Sequence, residues 1–329
     1  MLDMKKTTII FVIIFCAVVS ARAQLLPVLG AQRAGITTAE FLKIGVGARA
    51  NAMAESFAAV GGDAFSLFYN PAGITQFDKN EIALSHSTWF VGLQHDFIGA
   101  VYHLDKQNSI GVSAVSLQSD DMPVTTEYAP TGTGAYFKYG DLAVAATYAR
   151  KMTNQFSFGI SVRYVYETLG EVRMNGVLID LGTYYWTGLG TTRFAVAVSN
   201  FGGQLTPTGS VDLIDGTTVS KFQSFSPPTI FRIGFAFEPY QDESNKLTTS
   251  AQLNHPADNS ENISLGAEYS FRESFFLRGG YRINVDEQKF SVGAGVRANV
   301  GFAGVAFDYA FTPYERLGDV HRFSLNLDF

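Results

Sequence analysis

Histidines, one cysteine and scattered carboxylates are the residues of this chain that could do chemistry. His86, His95, His103, His255 and His321 are the five histidines. None forms a close metal-ligand pair with a second histidine at helical spacing. Gly45-x-Gly47 weakly resembles a dinucleotide loop, but no strand–turn–helix unit surrounds it. There is no nucleophile elbow, Walker loop or zinc motif. The expectation is a protein without catalysis, metal or cofactor.

A second set of polar residues does follow a pattern. Arg163, Glu167, Asp180, Arg232, Glu268, Arg278, Arg282, Arg297 and Asp308 alternate with aromatic and aliphatic residues. Over 156–167, Phe156, Phe158, Ile160, Val162, Tyr164 and Tyr166 share one face, and Gly159, Ser161, Arg163, Val165 and Glu167 the other. Phe231, Ile233, Phe235 and Phe237 likewise oppose Arg232, Gly234 and Ala236. Period-two alternation marks any half-buried sheet. Here the polar face mixes Gly and Ala with isolated Arg, Glu and Asp and almost no Lys, which suits a crowded barrel interior. Such charges could form a polar path or a carboxylate-binding spot. Ion pairing between wall and plug is favoured, because unpaired buried charge is costly.

The elements that must position these residues are strands. About fourteen strand-like runs centre on residues 82–89, 96–104, 110–117, 142–148, 156–166, 177–186, 194–200, 230–237, 247–254, 263–271, 276–283, 290–297, 305–311 and 322–329. An even number of runs of about 9–11 residues fits a bacterial transmembrane β-barrel. The run 96–104 is ambiguous, mixing polar and apolar residues on both faces. Connections 105–108, 151–155, 187–192, 272–274 and 299–301 fall on one side and are mostly short. Those at 119–139, 202–228 and 312–319 fall on the other, and two are long. The connection 238–246 is longer than this scheme wants. The long loops could hold a protein or lipid, although mobile surface loops are commoner.

Composition agrees with a membrane barrel. Hydrophobic residues make up 47% of the chain and charged ones 16%, with 28 Phe, 15 Tyr and 32 Gly. The charged share is well below the roughly 25% of soluble domains, and no segment after the first 23 residues approaches the length of a membrane helix. Lys5, Lys6, the apolar stretch 9–19 and Ala21-Arg22-Ala23 read as a signal peptide over 1–23. The one cysteine, Cys16, lies inside it. The net charge of −6 becomes −8 after cleavage, since three of 24 basic and one of 30 acidic residues are lost. That disfavours nucleic acid as a partner.

Residues 24–79 read as a hatch and 80–329 as the barrel. Within the hatch, Asp63 can cap a helix over 64–69. Pro71 should stop that helix at Asn70, and Gly73 permits a turn. Asn70-Pro71-Ala72-Gly73 could be a movable corner, but a turn that seats the hatch is favoured. The last run carries Phe323, Leu325, Leu327 and Phe329 at alternate positions and ends on an aromatic. Many outer-membrane barrels end this way, as a signal for their assembly machinery.

Residues 41–50, FLKIGVGARA, followed by Asn70-Pro71-Ala72-Gly73, resemble the start of the PorV/PorQ family of outer-membrane proteins. So do Asn254-His255-Pro256, the run 262–269, Leu277-Arg278-Gly279-Gly280-Tyr281-Arg282, Asp308-Tyr309-Ala310 and 317–325. More widely the chain resembles FadL-type barrels, which have fourteen strands and an N-terminal hatch. The resemblance implies an outer-membrane location, with lipid around the barrel. It implies a role in type IX secretion, with exported proteins bearing C-terminal signal domains and a large translocon subunit as partners. The alternative it implies is a FadL-like transporter of hydrophobic small molecules. A structural barrel without cargo is the third reading.

Overall fold

A computed structural model describes residues 35–213 and 216–329. The expected signal peptide and residues 24–34 of the expected hatch lie outside the described residues. Fourteen antiparallel strands close into a barrel. They are β1 (Glu81–Thr88), β2 (Gln94–His103), β3 (Asn108–Gln118), β4 (Tyr139–Lys151), β5 (Phe156–Leu169), β6 (Val172–Trp186) and β7 (Arg193–Gly202). The second half comprises β8 (Ile230–Gln241), β9 (Asn245–Pro256), β10 (Asn262–Phe271), β11 (Phe275–Ile283), β12 (Phe290–Val300), β13 (Ala303–Tyr314) and β14 (Gly318–Asp328). Each strand pairs with its sequence neighbours, and β1 closes the ring against β14, from Glu81 opposite Asp328 to Ser87 opposite Arg322. Full closure leaves no unpaired edge, which a sheet in lipid requires.

The faces are those the alternation indicates. On β5, Ser157, Gly159, Ser161, Arg163 and Val165 are buried, while Phe158, Val162 and Tyr164 are exposed on the outside. On β2 the inward residues are His95, Phe97 and Val101. The mixed character of that run has a physical cause. Its inner face meets an apolar surface of the hatch, where Phe97 packs against Phe65 with ring centroids 5.4 Å apart, so both faces carry apolar residues.

Connections after β2, β4, β6, β8, β10 and β12 share one rim with the strand ends at Glu81 and Asp328, and all are short. The connections 119–138 and 203–229 share the opposite rim, as expected. Two expected loops are shorter than the sequence suggests. Strands β13 and β14 extend to Tyr314 and from Gly318, leaving only 315–317 between them. The expected long connection 238–246 is mostly strand, with a register shift between Phe237 and Tyr240 and a tight turn at 242–244. Asp242 builds that turn. It accepts from Tyr240 and from the Ser244 and Asn245 backbone N–H groups, which draw its carboxyl down to about 2.

Residues 37–80 thread the lumen from one rim to the other. Thr37 bridges Ser226 at the long-loop rim. The chain then forms the turns Glu40–Lys43, Ala48–Ala52, Ser66–Tyr69 and Pro71–Thr75 and reaches β1 at the short-turn rim. Phe41, Leu42, Val46, Met53, Phe57, Phe65, Leu67, Tyr69 and Ile74 are almost wholly buried. The core of the molecule is thus inside the barrel, between hatch and wall.

Candidate functional site

The wall approaches the hatch so closely because its inner face carries glycine. A Cβ on Gly182 would lie 2.0 Å from Asn70 Oδ1, one on Gly159 would lie 2.4 Å from the Pro71 carbonyl carbon, and one on Gly280 would lie 2.3 Å from Ala54 N. Gly111 accommodates Leu67 and Gly293 accommodates Ala52 in the same way. Backbone of the hatch can therefore lie directly on backbone of the wall.

The Asn70–Gly73 corner is fixed to this surface. The Asn70 side chain donates to the carbonyls of Ala58 (2.9 Å) and Thr183 (3.0 Å) and accepts from Ala72 N–H (3.1 Å). Asn70 is extended and begins the short helix Pro71–Thr75, whose first turn has no use for the N–H that proline lacks. Gly73 does not make the expected turn. It lies inside that helix, and a Cβ there would come within 2.9 Å of Ser66. The preceding helix is also shorter than expected, Ser66–Tyr69. The Asp63 carboxylate accepts from Phe65 N–H (3.0 Å), while Ala64 N–H donates to Glu81 (3.1 Å).

All nine charged residues singled out from the alternation face inward, and most meet a counter-charge. Glu268 accepts two hydrogen bonds from Arg49 of the hatch (2.7 and 2.8 Å) and one from Arg278 (2.6 Å). Arg278 also pairs with Asp308 (2.6 Å), and Arg49 with Asp63 (2.9 Å). A continuous chain, Asp63–Arg49–Glu268–Arg278–Asp308, thus ties hatch to wall. Arg163 pairs with Asp180 (2.7 Å), Arg282 with Glu55 of the hatch (3.1 Å) and Arg297 with Asp328. Arg232 donates to Ser199 (2.7 Å). Glu167 accepts from Thr38 Oγ1 (2.8 Å) and Ala39 N–H (3.1 Å) at the long-loop rim. There too Asp258 holds Lys43 (2.7 Å) and Thr37 (2.6 Å). Burial opposes ionisation of Asp258, but these two hydrogen bonds and the ammonium charge outweigh it and hold the carboxyl below the usual aspartate value.

Arg49 and Glu55 of the hatch are not among the charges expected in the lumen, and Asp63 is expected only as a helix cap; the wall pair Arg193–Glu238 (2.7 Å) and the buried Arg322 are likewise absent from that set. Arg49, Glu55 and Asp63 are charges in an otherwise apolar stretch, and that was the available signal. Arg322 shares the inward parity of Ser324, Asn326 and Asp328, whereas Phe323, Leu325 and Leu327 take the outward positions of β14. Phe329 follows the strand and is exposed. Among the described residues no His, Cys, Asp and Glu side chains are grouped to hold a metal ion.

The family described as "Type IX secretion system protein PorV" matches residues 29–257. The chain belongs to the PorV family. Its barrel is similar to solved structures of the Ralstonia pickettii toluene transporter TbuX (TM-score 0.57, 13% identity, 86% of this chain and 97% of that one) and the Pseudomonas putida toluene transporter TodX (0.57, 15%, 86% and 97%). A Pseudomonas aeruginosa FadL homologue is also similar (0.56, 12%, 87% and 98%). At these identities the likeness is one of fold. No curated protein sequence matches the chain. This PorV-family barrel is an outer-membrane protein, and its exposed belt of Val162, Tyr164, Leu277, Val292 and Phe307 is the surface that meets lipid.

Proposed function

We propose that this PorV-family barrel serves type IX secretion by receiving exported proteins, or the translocon that delivers them, at its long-loop rim. The observation that carries this reading is the hatch. Threaded through the lumen, seated on wall glycines and tied down by Asp63–Arg49–Glu268–Arg278–Asp308, it favours a barrel that works at its surface over one that works as a pore. The long connections offer apolar side chains for such contact, with Tyr128 97% and Tyr136 65% exposed. The shorter 89–93 connection on the same rim adds a fully exposed Val91. Short turns face the periplasm in barrels of this kind, which puts this rim outside the cell.

The test is secretion itself. Deleting the gene should leave proteins with C-terminal signal domains inside the cell, and shortening 119–138 or 203–229 should do the same while the barrel still assembles. Normal secretion in the deletion strain would end the proposal. The second reading, transport of hydrophobic small molecules, is favoured by the FadL-type fold, since two similar structures are named as toluene transporters. It predicts slower toluene uptake in the deletion strain with secretion intact.

A further inference from the structure

Arg322 departs from the rule that governs the other arginines of the lumen. It heads the largest almost wholly buried side chains, at 2% exposure. Yet among the described residues no carboxylate pairs with it, and its Nε has no hydrogen-bond partner. Glu55 of the hatch lies within electrostatic reach but is engaged by Arg282 at 3.1 Å. A buried guanidinium without a counter-charge is among the costliest arrangements a protein can hold.

The groups around Arg322 are unsatisfied as well. Ser87 stands opposite it on β1, His95 stands opposite Ser87 on β2, and Thr312 is inward on β13 two residues from Ala310, the partner of Arg322. Ser87 Oγ, His95 Nε2 and Thr312 Oγ1 are buried and have no hydrogen-bond partner among the described residues. Four unsatisfied polar groups thus occupy neighbouring inward register positions on four adjoining strands. An aromatic roof covers it. The Trp89 ring centroid lies 5.9 Å from the guanidinium carbon, and the ring packs tilted against Phe90 (4.7 Å between ring centroids, planes at 52°) and meets Tyr314 edge-on (5.6 Å). The roof belongs to the 89–93 connection and the end of β13, both at the long-loop rim.

A guanidinium fork can bind the two oxygens of a carboxylate in bidentate fashion, and the strands on either side of Arg322 carry the unpartnered hydroxyls of Ser87 and Thr312. The aromatic roof matches an apolar group attached to it. We propose that Arg322 anchors a carboxylate-binding site beneath Trp89, Phe90 and Tyr314, reached from the long-loop rim. The carboxylate can be that of a free amphiphilic acid or the C-terminus of a polypeptide. This site does not depend on the secretion reading, because it rests on the unpaired groups alone.

The chain contains two tryptophans, so Trp186→Phe leaves Trp89 as the sole emitter, directly over the site. We expect octanoate to shift the emission of this variant in a saturable titration, while octanol at the same concentrations does not. Arg322→Gln should weaken octanoate at least tenfold, and Arg322→Lys should retain part of the binding. Heat-modifiable gel mobility checks that each variant is folded. A second arm compares a short peptide bearing a free C-terminus with its C-terminal amide. A response to the free peptide but not the amide, stronger than that to octanoate, identifies a polypeptide as the source. Indistinguishable octanoate and octanol, with indistinguishable peptide and amide, would overturn the proposal. So would octanoate binding that survives Arg322→Gln unchanged.

Discussion

Glu268→Gln tests the idea that hatch and wall are held together by charge. Glu268 is about 2% exposed and accepts from two guanidiniums at 2.6–2.8 Å, one on the hatch and one on the wall. Gln keeps the shape but removes the charge and turns one acceptor into a donor facing an arginine. Arg49 retains Asp63, and Arg278 retains Asp308, so neither is left alone. The link between them is lost, and giving up about two of the three hydrogen bonds to charged groups, at about 1.5–3 kcal/mol each, costs about 3–5 kcal/mol. At 1.4 kcal/mol per decade, the open-hatch population should rise by about two to three and a half decades. Hydrogen exchange reads this directly, because amides of Ala48–Ala52 and Ser66–Tyr69 exchange when the hatch leaves the wall. The variant should accelerate them by that factor and leave amides in β4 and β5 unchanged. Lys289→Ala, which breaks the exposed Lys289–Glu315 pair (2.7 Å), should change nothing measurable. Hatch exchange within tenfold of wild type in Glu268→Gln would refute the reasoning. The hatch would then be held by packing, with the charges merely tolerated.

Other changes probe separate parts of the same architecture. Gly182→Val should displace the corner at Asn70, because even its Cβ has no room, and should lower the fraction of barrel that migrates as folded on a semi-native gel. Asn70→Ala removes three hydrogen bonds and leaves the Ala58 and Thr183 carbonyls short of a donor. At about 1–3 kcal/mol for each unsatisfied buried group, thermal unfolding should occur at a clearly lower temperature. The Lys43–Asp258–Thr37 tether should depend on pH in one direction. Asp258 is depressed by its partners, so its contribution is complete above the ordinary aspartate value, about pH 4, and is lost as pH falls through its lower folded value. Limited proteolysis within residues 35–43 should therefore rise below about pH 4 and stay flat from there to neutrality. Deleting Phe329 should reduce the amount of barrel assembled in cells far more than the stability of the barrel that does assemble, measured as steady-state level against unfolding temperature.

The strands were legible because a lipid-facing wall imposes one rule on every residue of it. Phe158, Val162 and Tyr164 must face outward, so Gly159, Ser161 and Arg163 must face inward, and no knowledge of partners is needed. The rule weakens where the inner face meets the hatch. Phe97 is inward and apolar like its lipid-facing neighbour Ile98, and alternation cannot separate them. It also fails to say where strands stop, since β13 runs to Tyr314 through residues that read as loop. Charge partners were the hidden part. Arg49 and Glu268 are 219 residues apart, and only closure of the ring and the path of the hatch bring them within 3 Å. Arg322 shows the limit from the other side. Its parity was plain, but that it alone among the inward arginines finds neither a carboxylate nor a hydroxyl partner among the described residues depends on where every other charge has gone. A lumen that pairs its arginines so thoroughly and leaves one out, beneath three aromatic rings at the rim where contact is expected, has kept that one for something outside the fold.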